Sequence, residues 1–459
     1  MTDTICAIAT APGGAIGIVR LSGPKAIPIT SRVCCRITAA TPSRTAVFTT
    51  IASPIPIGEC HGGTSSPLDE AIVTLFRAPA SYTGEDCVEI SCHGSRYILN
   101  SLLDLLIHEG ARLANPGEFT QRAFLNGKLD LSQAEAVADL IASTNSATHH
   151  VAMSQLRGHF SSELATLRDQ LLHLTSLLEL ELDFADHEEL EFADRSELLA
   201  LAQTIDTRIT ALARSFETGQ ALKEGIPVAI VGKTNVGKST LLNRLLHDDR
   251  AIVSDIHGTT RDTIEDTIDI RGVTFRFIDT AGIRQTTDSI EQIGIARTYA
   301  AIDKARIVLW LIDEQPTATD IADIQAHCQG KALLLVQNKT DIRNFPDSGS
   351  VTSSETYIPI SAKLGTGLQE LENAIYAAAD LSALADTDVI VTSARHYEAL
   401  NRAHDSLSRV INGLLTSLPS DLVAEDLRLT LDALADITGG TITPQETLNN
   451  IFAHFCVGK

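Results

Sequence analysis

Between residues 226 and 380 strand-like and helix-like runs alternate, and the alternation opens with VAIVGKTNVGKSTLLNRLL (228–246). An apolar strand that turns through G-x-x-x-x-G-K-[ST] into an apolar helix leaves few folds open. Gly232 and Gly237 let backbone N–H groups wrap phosphates, Lys238 reaches the β- and γ-oxygens, and the Ser239 hydroxyl suits Mg²⁺. The following strand candidates are TFRFIDTAG, ARIVLWLID, ALLLVQNKTD and TYIPISAK. Strands alternating with helices predict a parallel sheet covered on both faces.

The base is selected by NKTD (338–341). The Asp341 carboxylate can accept both guanine N1–H and the 2-amino group. Adenine has no such donor pair and would leave the carboxylate unpaired. Asn338 braces the loop, the Lys339 stem covers the base, and SAK (Ser361, Ala362, Lys363) supports it through backbone N–H. The order and spacing of these runs after the loop Asn235, Val236, Gly237, Lys238, Ser239, Thr240 point to GTP rather than ATP.

Two switch runs complete the set. In DTAG, Asp279 suits a contact to Mg²⁺ through its shell and the Gly282 N–H suits the γ-phosphate, with Thr280 and Ala281 between them. In SDIHGTTRD, Thr260 is a candidate Mg²⁺ ligand. Such segments order on γ-phosphate contacts and relax after hydrolysis. Residue 283 is Ile, where Ras-like enzymes place a water-orienting Gln. Hydrolysis then needs help from elsewhere. Arg284 is open to two readings, an arginine finger or an exposed structural residue. The Asn235 side-chain oxygen offers a third route, a monovalent cation beside the phosphates doing the finger's electrostatic work.

The flanks differ. Residues 1–118 read as a mixed α/β domain, with strands in 15–23, 70–79 and 86–94 and a helix in 95–110. From 119 to 220 the pattern is helical. Leu156, Phe160, Leu164, Leu167, Leu171, Leu174, Leu178 and Leu182 step by three or four and predict one long apolar stripe. Helical spacing returns in 381–459 with Leu400, Ala403, Leu407, Val410, Leu414 and Leu418. An α/β module at 221–380 is therefore expected as an insertion between helices that pack together. The chain carries 36 basic and 58 acidic residues, a net charge of −22, which argues against non-specific nucleic-acid binding but leaves room for a local basic patch. The acidic run 178–197 reads as a solvated helical face. The eight cysteines include no C-x-x-C pair, so reduced, mostly buried thiols are expected rather than zinc. No apolar run reaches a membrane span, and MTDTICAIATAPGG resembles neither a signal nor a transit peptide, so a cytoplasmic protein is expected.

Together, GKTNVGKS, SDIHGTTRD, DTAGIR…IEQIGIAR, NPGEFTQRAFLNGKLDLSQAEAVADLI (115–141) and the terminal CVGK resemble the MnmE (TrmE) family of tRNA-modification GTPases from end to end. The resemblance implies a tetrahydrofolate-binding and dimerisation domain at the N-terminus, then a discontinuous helical domain with a Ras-like P-loop G domain inserted in it. It implies a homodimer that joins an FAD-dependent partner, MnmG, in a heterotetramer. The pair would build the 5-carboxymethylaminomethyl group on uridine 34 of certain tRNAs (cmnm5U34). A 5-formyl- or 5,10-methylene-tetrahydrofolate would supply the one-carbon unit. By the same resemblance, K⁺ falls to Asn235, Ser254, Ile256 and Thr259, within a loop that also holds Asp255, His257 and Gly258. Mg²⁺ falls to Ser239 and Thr260, and the water-orienting carboxylate to Glu291. Folate falls to Arg20, Glu89, Lys128 and Lys459. Ser254 departs from the family's frequent Thr, and His257 replaces a small residue beside the switch.

A pterin edge presents an N–H and an amino group side by side, as guanine does, and Glu89 suits both. Arg20, Lys128 and Lys459 suit the folate's polar and anionic groups. The tail HFCVGK is no prenylation box, because Gly458 is not a bulky aliphatic residue and Lys459 is not a usual last residue. A docked tail would bring Lys459 to the folate pocket, with Cys456 either a reactive thiolate or an inert thiol. Two other readings remain at this point. A regulatory or ribosome-assembly GTPase would leave residues 1–120 without a purpose. A folate-dependent aminomethyl transferase would not need GTP hydrolysis.

Overall fold

The computed structural model describes residues 3–52, 67–183, 195–249, 266–278, 299–342, 356–381, 389–440, 445–453, 455 and 458. The chain forms two compact units. The first comprises residues 1–142, 152–203 and 405–459, and the second residues 143–151 and 204–404.

The first unit holds a six-stranded sheet in the order β3-β4-β5-β2-β1-β6. Its strands are β1 (Ile5–Ile8), β2 (Ile16–Ser22), β3 (Ala46–Ala52), β4 (Pro67–Phe76), β5 (Cys87–His93) and β6 (Arg112–Leu113). Every pairing is antiparallel except β1 with β6. Alternation in β5 buries Val88, Ile90 and Cys92 on one face, where helices Ala26–Val33 and Arg96–His108 add Ile27, Ile29, Leu99 and Leu102. On the other face Arg20 of β2 stands directly opposite Glu89 of β5. Helix His159–Asp183 packs on helix Ser420–Thr438, so segments from before and after the α/β module share this unit.

The predicted stripe is shared between two helices. Leu156 closes helix Ser146–Leu156, Gly158 turns at φ +83°, and a new helix carries the buried Phe160, Leu164, Leu167, Leu171, Leu174 and Leu178. Leu418 likewise lies beyond helix Ala394–Leu415 and is exposed. Periodicity alone does not register a turn that preserves the spacing.

The second unit is built on the sheet β12-β11-β10-β7-β9-β8. Its strands are β7 (Ile226–Val231), β8 (Asp266–Ile270), β9 (Val273–Phe277), β10 (Ile307–Ile312), β11 (Ala332–Gln337) and β12 (Thr356–Pro359). The pairings are parallel as expected, save that β8 runs antiparallel to β9 at the edge. Central β10 is buried at every position, because both faces are covered, whereas β8 alternates. Val228, Ile230, Leu309 and Val336 face Leu241 and Leu245 of helix Lys238–Asp249, while Ala229, Val231, Trp310 and Leu335 form the core on the opposite face. Where the chain enters and leaves this unit, Ser215 Oγ accepts from Val391 N at 3.0 Å and Phe216 stacks on Tyr397 at 4.6 Å.

Among the described residues no helix is long and apolar enough to cross a membrane. Cys6, Cys34, Cys87, Cys92 and Cys328 are buried free thiols, and Cys35 is exposed. Burial pushes Cys6 and Cys92 up to about 11 and Cys34 up to about 12, so these remain protonated. No described cluster has the make-up of a metal site.

Candidate nucleotide site and a polar cluster

The loop after β7 is a phosphate cradle by backbone conformation. Gly232, Asn235 and Gly237 take φ of +150°, +62° and +103° before helix Lys238–Asp249 begins. The Lys238 ammonium donates to the carbonyls of Gly232 and Lys233 at 2.6 and 2.8 Å, which folds its stem back over the loop. Burial pulls Lys238 below its ordinary value. Ser239 and Thr240 sit in the first helical turn, where N–H groups point toward an anion.

The loops after β11 and β12 close on this cradle from the base end. Buried Asn338 donates from Nδ2 to the Val236 carbonyl at 2.8 Å and accepts at Oδ1 from the Ala362 N–H at 3.0 Å. Gly237 admits that approach because it lacks a side chain: a Cβ there would lie 2.2 Å from Asn338 Nδ2. Lys339, at φ +63°, donates to the Asn235 carbonyl at 2.7 Å and to Asp313 Oδ2 at 2.7 Å. Ser361 Oγ donates to Asp341 Oδ1 at 2.7 Å, and Lys363 is exposed beside them. Asn235 through Thr240, Asn338, Lys339, Asp341, Ser361 and Ala362 are thus gathered at the carboxyl ends of parallel strands, where ligands of open α/β sheets bind. Ser254, Asp255, Ile256, His257, Gly258, Thr259, Thr260, Asp279, Thr280, Ala281, Gly282 and Glu291 lie outside the described residues, as do Cys456 and Lys459.

In the first unit Arg20 donates to Glu89 Oε1 from Nε at 2.9 Å and Nη2 at 2.7 Å, and its Nη1 reaches the Gly458 carbonyl at 3.3 Å. The guanidinium lies 5.8 Å from the ring centres of both Tyr82 and Phe119. The tail is held there by its apolar residues: Phe455 packs with Phe452, Leu448, Leu131 and Ala134. Lys128 bonds elsewhere, to the Pro79 carbonyl at 3.2 Å. Beneath this cluster lies a network that sequence reasoning did not single out. Fully buried Arg122 donates to Asp3 and Glu118 at 2.9 Å each and to Glu85 at 3.1 Å. Glu85 also takes the Ser22 hydroxyl at 2.7 Å. Burial pushes the Glu118 carboxyl up, but bonds from Arg112, the Asn115 N–H and Arg122 outweigh it and hold it below its ordinary value. Asp3 is lowered in the same way, with Arg112 and Arg122 outweighing its burial. The only signal in the sequence was the pair of charges inside the otherwise compact helix Glu118–Leu125.

Residues 4–128 match the family described as GTP-binding protein TrmE N-terminus, and residues 131–456 match the MnmE helical domain. The tRNA modification GTPase MnmE of Phocaeicola vulgatus is 53% identical over 494 residues, covering 100% of this chain and 99% of its own. That of Bacteroides fragilis is 52% identical over 471 residues, with the same coverage. Among solved structures, the G domain of the T. maritima FeoB iron transporter is 24% identical and covers 34% of this chain and 99% of its own, at a TM-score of 0.26.

Proposed function

The chain belongs to the MnmE (TrmE) family of tRNA modification GTPases, and we propose that its GTP cycle drives formation of cmnm5U34 on certain tRNAs. The observation that carries the guanine-nucleotide part of this reading is the stitching of the base loop to the phosphate loop, through Asn338 on the Val236 carbonyl and Lys339 on the Asn235 carbonyl, and the tRNA part follows from the family. With Asp341 held by Ser361, a guanine edge presenting two N–H donors meets a fixed carboxylate.

In this reading Ser239 and Thr260 hold Mg²⁺, while Asn235, Ser254, Ile256 and Thr259 hold K⁺. When bound, the two cations supply positive charge against the negative charge that develops on the β–γ bridge. Glu291 orients the attacking water. Arg20 and Glu89 suit a reduced folate. Two of the three Arg20 guanidinium nitrogens use Glu89 Oε1, and among the described residues none donates to Oε2, which leaves an acceptor for a pterin edge. The Gly458 carbonyl at Arg20 supports a place for Lys459 at the same pocket. A homodimer working with an FAD-bearing MnmG partner in the cytoplasm completes the proposal.

GTP turnover in potassium and in sodium buffer, with and without Asn235→Ala, tests the cation. Turnover favouring potassium, and losing that preference in the variant, is expected. Equal turnover in both salts removes K⁺ from the mechanism. Calorimetric binding of 5-formyl-tetrahydrofolate to the wild type and to Glu89→Gln tests the folate site, and absence of binding to the wild type would end that part.

A further inference from the structure

Asp313, the residue directly after β10, holds one of the two base-loop side chains that reach the phosphate loop. We propose that Asp313 is a positioning residue: it fixes Lys339 against the Asn235 carbonyl, and so sets how long guanine nucleotide stays bound and how the site responds to a monovalent cation. The second half rests on the reading of Asn235 as a cation ligand.

The geometry is a three-part chain. Asp313 Oδ2 accepts from Lys339 Nζ at 2.7 Å, and the same ammonium donates to Asn235 O at 2.7 Å. The ion pair is partly open to water, with side-chain exposures of 32% for Asp313 and 37% for Lys339. A pair that exposed contributes little to folding, so a purely structural role is a weak explanation. Its effect is on conformation. Lysine is a point charge on a flexible stem. With Asp313 in place the stem lies over the base site before a base arrives, which spares that ordering on binding.

Lys339 and Asn235 both sit in the left-handed region, at φ +63° and +62°. Asparagine enters that region readily, whereas a lysine stays there only when its surroundings hold it. The Lys339–Asn235 bond ties these two positions to each other. Next to it, Asn338 holds the Val236 carbonyl in the same way. Two successive phosphate-loop carbonyls are therefore held by two successive base-loop side chains. Asn338 is buried and braced by the Ala362 N–H, whereas Lys339 is braced by Asp313. Loss of Asp313 frees the ammonium, loosens the Asn235 peptide, and with it the side chain proposed to meet the cation.

The test uses the full chain with Asp313→Ala and with Asp313→Asn, which keeps an acceptor but not the charge. Three readouts are taken: release of a fluorescent GDP, kcat and KM for GTP, and the potassium concentration at half-maximal turnover. For Asp313→Ala, GDP release and KM are each expected to rise about tenfold, as for loss of one charge-assisted bond. Half-saturation in potassium should shift upward severalfold, with a nucleotide-free melting temperature like that of the wild type. Asp313→Asn should fall between. Wild-type GDP release in both variants overturns the positioning role. Faster release with an unmoved potassium response overturns the link through Asn235. If the wild type turns over equally in potassium and sodium, the cation reading itself has failed, and the GDP release rates still decide Asp313 on their own.

Discussion

The nucleotide loops of the second unit and the Arg20–Glu89 cluster of the first hold charge by different means. In the nucleotide loops, side chains bond largely to main-chain groups, Asn338 to Val236 O, Lys339 to Asn235 O and the Ala362 N–H to Asn338, beside the side-chain pairs Lys339–Asp313 and Ser361–Asp341. The cradle exists because glycines and left-handed residues turn the backbone. In the first unit, side chains bond mainly to side chains drawn from distant segments. Arg20 meets Glu89 across 69 residues and Gly458 across 438. Beneath them a buried arginine is shared among three acids. A backbone-built site tolerates most side-chain changes but not an added Cβ. A site built from paired charges tolerates small changes in volume but not an unbalanced charge.

The largest effect that would sharpen this contrast is expected from Arg122→Met. It leaves Asp3 and Glu118 with Arg112 alone and takes from Glu85 the one charged partner it has among the described residues, and breaking one side of a buried ion network costs about 3–5 kcal/mol. Thermal melting should show the loss. A wild-type melting curve would mean that these acids find other partners. In the other region Gly237→Ala should be the most damaging small change. Its Cβ would lie 2.2 Å from Asn338 Nδ2, at a residue with φ +103°. Strain and the displaced bond together predict GTP affinity about 100-fold weaker. Normal GTP binding by that variant would show that the base loop can move without cost.

Smaller effects separate the two regions further. Glu89→Gln keeps the shape but cannot balance Arg20, and folate affinity is expected to fall about tenfold while GTP turnover holds. Equal loss of both in calorimetry and turnover assays would break the separation. The mildest effect is that of acid. Asp3 and Glu118 are held below their ordinary values of 3.8 and 4.5. Their contribution is complete above those ordinary values and is lost as pH falls through the lowered folded ones. Melting followed from about pH 6 to about pH 3 should therefore drop less steeply in Arg122→Met than in the wild type. Parallel curves would remove the network as the cause.

Legibility in the sequence follows the same division. The phosphate loop and the NKTD and SAK runs were readable because each packs its chemistry into a short contiguous stretch after a strand, and the structure gathers their described residues in one place. The strands β2, β4, β5, β7 and β9 to β12 were readable for the same local reason. Four strands were not. β1, β6 and β8 are edge or near-edge strands of two to five residues, and β3 carries four threonine or alanine positions that blur its alternation. Asp313 and Arg122 were invisible because a single charge has no periodicity. Only the segment that packs beside it reveals whether it is solvated or holding another residue.

The sequence by itself determined the chemistry of the nucleotide loops, since backbone turns depend on nearest neighbours and glycine placement records them directly. It determined the α/β alternation and the family. Tertiary structure alone decided which charges meet: Arg20 with Glu89 and the Gly458 carbonyl, Arg122 with its three acids, and Asp313 with Lys339. The reason is physical. A hydrogen bond depends on a distance of about 3 Å, and for residues tens or hundreds of positions apart that distance is set by strand order and core packing, not by spacing along the chain.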